Sequence, residues 1–267
     1  MNSYLRLSIV SLFALSLYSC ALFSAAGLTS QGQPVKEVKS PLQSTKEGST
    51  INVDHSQWDR LLKKHVDSQG MVDYTGFKED RSELKSYLKM LSKLEPTKRW
   101  SVQELLAFYI NTYNAYTVDL ILENYPVKSI KDISGPWTRG IVPIGNNNLS
   151  LGGIENGILR KMNEARIHFA INCASISCPK LLNEAYTAGR INEQLDRAAK
   201  EFINSEKNEL DPDKPKLSSI FDWYRKDYLV NGNVDVIGYI NQFATTKINP
   251  NAELQFMEYD WNLNDQR

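Results

Sequence analysis

The chain has 267 residues, of which 42% are apolar, and its 31 basic and 31 acidic residues leave no net formal charge. A chain of this length can bury enough surface for one sizeable core or, at most, two small ones. The balanced charge excludes the basic excess on which nucleic-acid binding usually depends, so we expect no nucleic-acid partner.

The first twenty residues have the pattern of an export signal. Arg6 precedes an apolar stretch over residues 7–17, which leads into Leu17-Tyr18-Ser19-Cys20. A positive flank before a short apolar region is typical of a signal peptide. The last four residues resemble a lipobox, which predicts cleavage before Cys20 and a lipid on its thiol. The alternative is an ordinary signal peptide that is cut near residues 25–26.

This signal predicts both where the protein is found and what holds it there. We expect an exported protein that is lipid-anchored in the bacterial cell envelope, in the periplasm or at the outer membrane. Its partners would be the membrane, through the lipid on Cys20, and an envelope substrate or protein of unknown identity. Residues 21–50 hold few large apolar side chains and cannot offset their ordering entropy by burial, so they are predicted to be a flexible tether.

Residues 51–267 are predicted to form a single domain, which begins with helices. A cap-x-x-Gln pattern at Asp54 starts a first helix, and a short strand at 71–74 and an amphipathic helix near 84–91 follow. A clearer capping box at Ser101 opens a helix that runs to about Glu123. This helix is apolar on nearly every face, which is typical of a buried helix.

Two amides lie within that apolar helix. Asn111 and Asn114 are three residues apart and therefore share one face. A buried amide without partners costs about 1–3 kcal/mol, so both side chains need hydrogen bonds. They either cross-link the helix to neighbouring backbone or line a pocket as binding residues, and both interpretations stay open.

The second half of the domain mixes strands and helices. Residues 141–151 predict a β-hairpin with an Asn-rich turn, and Ser150 is placed to cap the helix that contains Glu155. Residues 166–172 alternate apolar and polar side chains, which predicts a strand with His168 on the opposite face from Ile167 and Phe169. Later segments predict helices and a closing strand (191–204, 217–228, 234–243 and 254–261). The prediction is one α+β domain, helix-rich with a small and mostly antiparallel sheet.

The residues most suggestive of chemistry follow the pattern His168-x4-Cys173-x4-Cys178-Pro179. An exported protein can hold these two cysteines as a disulfide, which over so short a loop would stabilise the fold by about 2 kcal/mol. One of them can instead be a nucleophile. Together with His168 they can also bind zinc, for which a fourth ligand would have to come from elsewhere. The remaining interpretation is two small buried thiols beside a core histidine.

As a nucleophile, Cys178 is favoured because Pro179 suits the first turn of a helix, whose dipole would stabilise a thiolate. His168 would then be the general base, and Glu155 would orient its imidazole. Asn111 or Asn114 would donate to the developing oxyanion, and Cys173 would be a further binding residue. We predict no metal and no cofactor for this mechanism.

Several motifs of the chain are found together in one family. The motifs are FYINTYNA at 108–115, YPVKSI at 125–130, IENGILR at 154–160, RIHFA at 166–170 with SCP at 177–179, FDWY at 221–224 and YDW at 259–261. In order and spacing they resemble domain of unknown function 547, which occurs in bacterial envelope proteins and some plant proteins. The resemblance extends from about Asp54 to Leu263, with Asn156 standing where many relatives have His.

The resemblance implies a comparison with cysteine enzymes. The Glu, His and Cys positions of the family motifs fall on Glu155, His168 and Cys178, and they invite comparison with papain-like or transglutaminase-like enzymes. This analogy adds a papain-like arrangement to the fold prediction, although a shared fold does not prove a shared reaction.

Two functions from different classes remain. The first is an envelope cysteine hydrolase or acyltransferase that acts on an amide or ester. The second is a non-catalytic binding or scaffold module with a structural disulfide between Cys173 and Cys178, whose surface aromatics such as Trp137 or Trp223 would contact a partner.

Overall fold

The computed structural model describes residues 29–39 and 41–266. Its helices are α1 (Ser56–His65), α2 (Tyr74–Glu79), α3 (Arg81–Ser92), α4 (Val102–Asn124), α5 (Leu151–Gly157), α6 (Ile191–Ile203), α7 (Ile220–Trp223) and α8 (Val236–Phe243). Short 3-10 helices cover Ile130–Asp132, Leu159–Met162, Ala165–Phe169 and Arg225–Asp227. Within the described part of the chain, no helix is long and apolar enough to cross a membrane.

The strands are short and form three separate pairs. Strands β1 (Val142–Ile144) and β2 (Asn147–Leu149) form the predicted antiparallel hairpin. Strands β4 (Leu229–Val230) and β5 (Asn233–Val234) form a second antiparallel pair. Strand β3 (Lys216–Leu217) pairs in parallel with β6 (Gln255–Phe256). The mixed α+β class is therefore confirmed, but the predicted small sheet is three two-stranded pieces.

Helix α4 is the centre of the larger core. The Ser101 hydroxyl accepts a hydrogen bond from the Glu104 N–H, as the capping box predicts. Nearly every residue from 104 to 122 is buried, so the helix contributes all its faces to packing. Helices α1, α3 and α5 and the β1–β2 hairpin supply further buried side chains to the same core. The prediction of a fully buried helix is confirmed.

A smaller core lies beside the larger one. Helices α6, α7 and α8 bury apolar side chains around Phe169. Ile167, two residues earlier in the same 3-10 helix, belongs to the larger core. The segment that carries His168 therefore lies where the two cores meet.

The prediction of a strand over residues 166–172 is wrong, because Ala165–Phe169 is a 3-10 helix. The alternation of apolar and polar residues suggested that one face was solvated. However, Ile167, His168 and Phe169 are all buried. His168 is buried as deeply as its two apolar neighbours, so the alternation of polar and apolar residues did not arise from a strand with one solvated face.

Other predicted boundaries also shift. The segment predicted as a closing strand at 254–261 holds only β6, and the one predicted as a helix at 217–228 holds only α7 and a 3-10 turn. At 71–74 two isolated bridges of Val72, to Val66 and to Asp265, replace the predicted strand. Helix α1 begins at Ser56, whose N–H donates to the Asp54 carboxylate, and its N-cap residue makes no side-chain cap.

The described part of the predicted tether lies against the domain. Leu42 is buried in the larger core, and Val35 and Val38 pack against it. The Val38 N–H donates to the Met162 carbonyl at 2.8 Å. Residues 1–28, with the predicted signal peptide and Cys20, lie outside the described residues.

Candidate active site

One cavity brings the predicted site residues together. Its volume is about 340 Å³, and Glu155, His168, Cys173 and Cys178 all line it. These side chains come from the end of α5, the 3-10 helix at 165–169 and the irregular segment after that helix. The remaining walls are mostly aromatic.

His168 has a partner that the sequence analysis did not identify. Its Nε2 lies 2.8 Å from the Oδ2 of Asp227, and only 1% of its side chain is exposed. Arg160 donates to both carboxylate oxygens of Asp227, at 2.6 and 2.9 Å. Burial alone would raise the pKa of Asp227, but hydrogen bonds from His168 and Arg160 lower it to about 2. The carboxylate is therefore ionised and accepts the Nε2–H of His168.

The second ring nitrogen of His168 is free to accept a proton. Nδ1 is buried and has no hydrogen-bond partner among the described residues. Because Asp227 fixes the proton on Nε2, the neutral ring presents a lone pair at Nδ1. A buried polar atom without a partner is available to bond a group that enters the site.

Glu155 does not orient His168 directly, contrary to the prediction. Its Oε1 accepts a hydrogen bond from the Tyr224 hydroxyl at 2.5 Å, and its Oε2 lies 3.5 Å from the Tyr113 hydroxyl. The Tyr224 ring stacks on the imidazole with centroids 4.0 Å apart. Glu155 and His168 are therefore connected through Tyr224, whose pKa is raised by burial and by the nearby Glu155 carboxylate.

The two cysteines are free and adjacent. The Cys173 N–H donates to the Sγ of Cys178 at 2.8 Å, and no disulfide joins them in the described structure. The Sγ of Cys173 lies 3.1 Å from the Ser175 hydroxyl and 3.3 Å from the Tyr259 hydroxyl. Cys178 is buried, whereas Cys173 is partly exposed.

These different surroundings shift the pKa values of the two thiols in opposite directions. Burial acts to raise the pKa of the Cys173 thiol, but hydrogen bonds from Cys178, Ser175 and Tyr259 outweigh it and lower that pKa. For Cys178, burial and the hydrogen bond to Cys173 raise the pKa well above the usual thiol range. Of the two thiols, Cys173 is therefore the one whose surroundings favour the thiolate.

The helix that was predicted to begin at Pro179 is absent. Residues 179–186 are irregular, so no helix dipole acts on Cys178. A side-chain clamp holds this segment instead. The Asn172 side chain accepts from the Ala174 N–H and donates to the Pro179 carbonyl. Ala174 adopts a left-handed backbone with φ of 57°, which turns the chain between the two cysteines.

Asn111 and Asn114 cross-link helix α4 to neighbouring backbone, and they do not line this cavity. Asn111 exchanges two hydrogen bonds with the backbone of Tyr186. Asn114 donates to the Ala170 carbonyl and accepts from the Asn172 N–H. Neither lines the cavity, so neither is placed to bind an oxyanion. Asn114 nevertheless supports the site, because it holds the backbone just before Cys173.

The zinc interpretation finds no support in this geometry. Among the described residues, no three His, Cys, Asp or Glu side chains are grouped as a metal would require. The Nε2 of His168, one of its two possible ligand atoms, is taken by Asp227. The cavity instead contains two thiols and a histidine that a carboxylate orients.

Three residues that contact the site residues were not predicted as site residues. Tyr224 and Tyr259 lie in the FDWY and YDW motifs, so the family motifs contained a signal for them. Asp227 lies three residues beyond the first of these motifs and 59 residues from His168. No local pattern connects it with His168, because only the folded chain brings the two together.

No curated protein and no solved structure matches the chain. The papain-like part of the fold prediction therefore gains no support from a known structure. Residues 97–203 match the model of a family described as a protein of unknown function, DUF547. This segment contains the motifs from FYINTYNA to SCP and includes Glu155, His168, Cys173 and Cys178, whereas Asp227 lies beyond it. Residues 97–203 therefore match the same family that the motifs of the chain resemble.

Proposed function

We propose that this protein is a cysteine hydrolase or acyltransferase that acts on an amide or ester. The observation that carries the proposal is the unpartnered Nδ1 of His168, a residue that lines the same cavity as two free cysteines while Asp227 holds its Nε2. A base of this kind can take the proton of a thiol and later give it to a leaving group.

Within this mechanism we assign the attack to Cys173, in place of the predicted Cys178. Cys173 is the more exposed thiol, and its surroundings favour the thiolate. Its Sγ would bond to the carbonyl carbon as His168 accepts the thiol proton at Nδ1. The bond to the leaving amine or alcohol would then break, and His168 would return the proton to that group. Water or another acceptor would release the acyl group from the thioester.

The test is the alkylation rate of each cysteine. The full chain would carry Cys20→Ser, so that Cys173 and Cys178 are the only thiols. Iodoacetamide labelling at pH 7, followed by peptide mass spectrometry, gives a rate for each. We expect Cys173 to label faster than Cys178, and His168→Gln to slow Cys173 by roughly 10-fold or more. Glutamine can keep a hydrogen bond to Asp227 but has no basic nitrogen.

The chain offers a matched control in a second histidine–aspartate pair. His65 Nε2 lies 2.7 Å from Asp80 Oδ2, and neither residue lines the cavity. His65→Gln should leave Cys173 labelling unchanged. Equal rates for wild type and His168→Gln would refute the assignment of the base. Labelling of both thiols only after reduction would favour the scaffold function with a structural disulfide.

We also propose that the protein is exported and anchored by a lipid on Cys20. The support is the lipobox-like sequence at 17–20 after the apolar stretch. In cells fed a radioactive or clickable fatty acid, the wild-type chain should incorporate the label and sediment with membranes. The Cys20→Ser chain should do neither, and lipid incorporation by that variant would contradict the proposal.

A further inference from the structure

One side of the cavity is a continuous group of aromatic side chains, here called the aromatic wall: Trp137, Trp223, Tyr259 and Trp261. Tyr259 lies 4.6 Å from Trp261 and 4.8 Å from Trp223, measured between ring centroids. Trp137 meets Trp261 edge-on at 5.8 Å. The wall touches the proposed nucleophile, because the Tyr259 hydroxyl lies 3.3 Å from the Sγ of Cys173.

The wall is open to a ligand at Trp223. Trp223 is 48% exposed and is one of three exposed large apolar residues in the described part of the chain. Its ring is nearly parallel to that of Trp261, at 18° and 5.9 Å. Exposing the apolar surface of a Trp to water is unfavourable. An exposed aromatic surface at a cavity is therefore typical of a binding site.

Several polar groups around the wall are already paired within the protein. Both oxygens of Glu155 lie within hydrogen-bonding distance of tyrosine hydroxyls. The Asn156 amide donates to the Gly152 carbonyl and accepts from Arg160. The Tyr259 hydroxyl contacts Cys173 and Ser175. A sugar would bring several hydroxyls into this space and find few partners for them, at a cost for each one left unpaired.

Two positive charges also lie against aromatic rings at this site. The Lys131 Nζ is 5.2 Å from the centre of the Trp261 ring, and the Arg160 guanidinium is 5.2 Å from that of Tyr224. Electron-rich ring faces attract cations. The faces of these two rings are therefore already occupied by cationic side chains of the protein, and neither face is left for a cationic ligand.

We propose that the aromatic wall binds an uncharged, planar apolar ring that lies next to the scissile carbonyl of the substrate. The position of the carbonyl rests on the proposed function, but the binding of the ring does not. Such a ring would stack on the exposed Trp223 and would need no hydrogen bond from the protein. The substrate class is thus an amide or ester that carries an aromatic group beside its scissile bond.

The first experiment compares two alkylating agents that differ by one ring. The full chain with Cys20→Ser is treated with N-benzyl-2-iodoacetamide and with iodoacetamide, and the ratio of Cys173 labelling rates is corrected for their rates with free cysteine. We expect a corrected ratio of about 10, since a stacked aromatic pair contributes roughly 0.5–1.5 kcal/mol and burial of the ring adds to it.

Variants of the wall show where this preference arises. Trp223→Ala should lower the corrected ratio to about 1, and Trp223→Phe should retain part of it because a ring remains. Val234→Ala is the matched control, since Val234 is an exposed apolar residue that does not line the cavity. His168→Gln should slow both reagents equally. A corrected ratio near 1 in wild type, with His168 still required, would refute the ring site and leave the proposed function standing.

A second experiment does not depend on thiol reactivity. N-Benzylacetamide is titrated into the full chain carrying Cys173→Ser and Cys178→Ser, and tryptophan fluorescence is recorded. Saturable quenching that Trp223→Ala removes would support the ring site even if alkylation showed no catalytic thiol. No saturable change, or a saturable change with N-acetylglucosamine and none with N-benzylacetamide, would overturn it.

Discussion

His55 makes the fold sensitive to acid. Its ring is buried, with Nδ1 2.7 Å from the Tyr87 hydroxyl and no partner for Nε2 among the described residues. Burial lowers the pKa of His55 to about 4, against 6.5 for an unperturbed histidine, although Asp54 acts in the opposite direction. The folded protein therefore holds this ring neutral at pH values where the unfolded chain binds a proton.

The direction and size of this pH dependence follow from the number of protons that the unfolded and folded chains bind at His55. Between about pH 6.5 and 4 the unfolded chain binds more protons at this site, so the free energy of unfolding falls as the pH falls. The complete loss of the contribution of His55 to the free energy of unfolding corresponds to about 2.5 pKa units, or about 3 kcal/mol. About 2 kcal/mol of this is lost between pH 8 and pH 5. Above pH 6.5 the site has no further effect on stability.

The measurement is urea unfolding of wild type and His55→Gln at pH 8 and pH 5, followed by tryptophan fluorescence. Glutamine can keep a hydrogen bond to Tyr87 but does not titrate. We expect the variant to lose about 2 kcal/mol less than wild type between the two pH values. Other titrating groups are present in both proteins, so their contributions cancel in this difference. An equal loss in both proteins would refute the argument from burial.

Two further predictions concern residues that hold the site in place. Asn114→Ala removes the bonds to the Ala170 carbonyl and the Asn172 N–H, and should lower the free energy of unfolding in urea by about 2–4 kcal/mol; a loss below about 0.5 kcal/mol would contradict this role. Tyr224→Phe removes the shorter bond to Glu155 while keeping the ring on the imidazole, and should cost about 1–3 kcal/mol. Stability equal to wild type at pH 7 would show that Glu155 does not need this hydroxyl.

Local patterns predicted some elements of the fold well. The capping box at Ser101 and the apolar faces after it identified α4, because the signals of a buried helix lie within the helix itself. The Asn-rich turn between two apolar segments identified the β1–β2 hairpin for the same reason. In both cases the residues that determine the structure are neighbours in the chain.

The site depends on contacts between distant segments, and there the sequence was a weaker guide. His168, Cys173 and Cys178 were identified because they are reactive residue types in a short segment. The partner of His168 was assigned to Glu155, which lies nearby in sequence, whereas Asp227 fills that role. Such a pairing depends on how α7 and the turn after it pack against the 3-10 helix at 165–169, and no local pattern encodes that packing.

The central claim is that Cys173, His168 and Asp227 act as one unit. Its most direct test is a double-mutant cycle on the Cys173 alkylation rate at pH 7, with His168→Gln, Asp227→Asn and both changes together, in chains that circular dichroism shows to be folded. Our account predicts that Asp227→Asn slows labelling in the presence of His168 and has no further effect once His168 is replaced. Independent, multiplying effects, or a rate unchanged by Asp227→Asn alone, would contradict it.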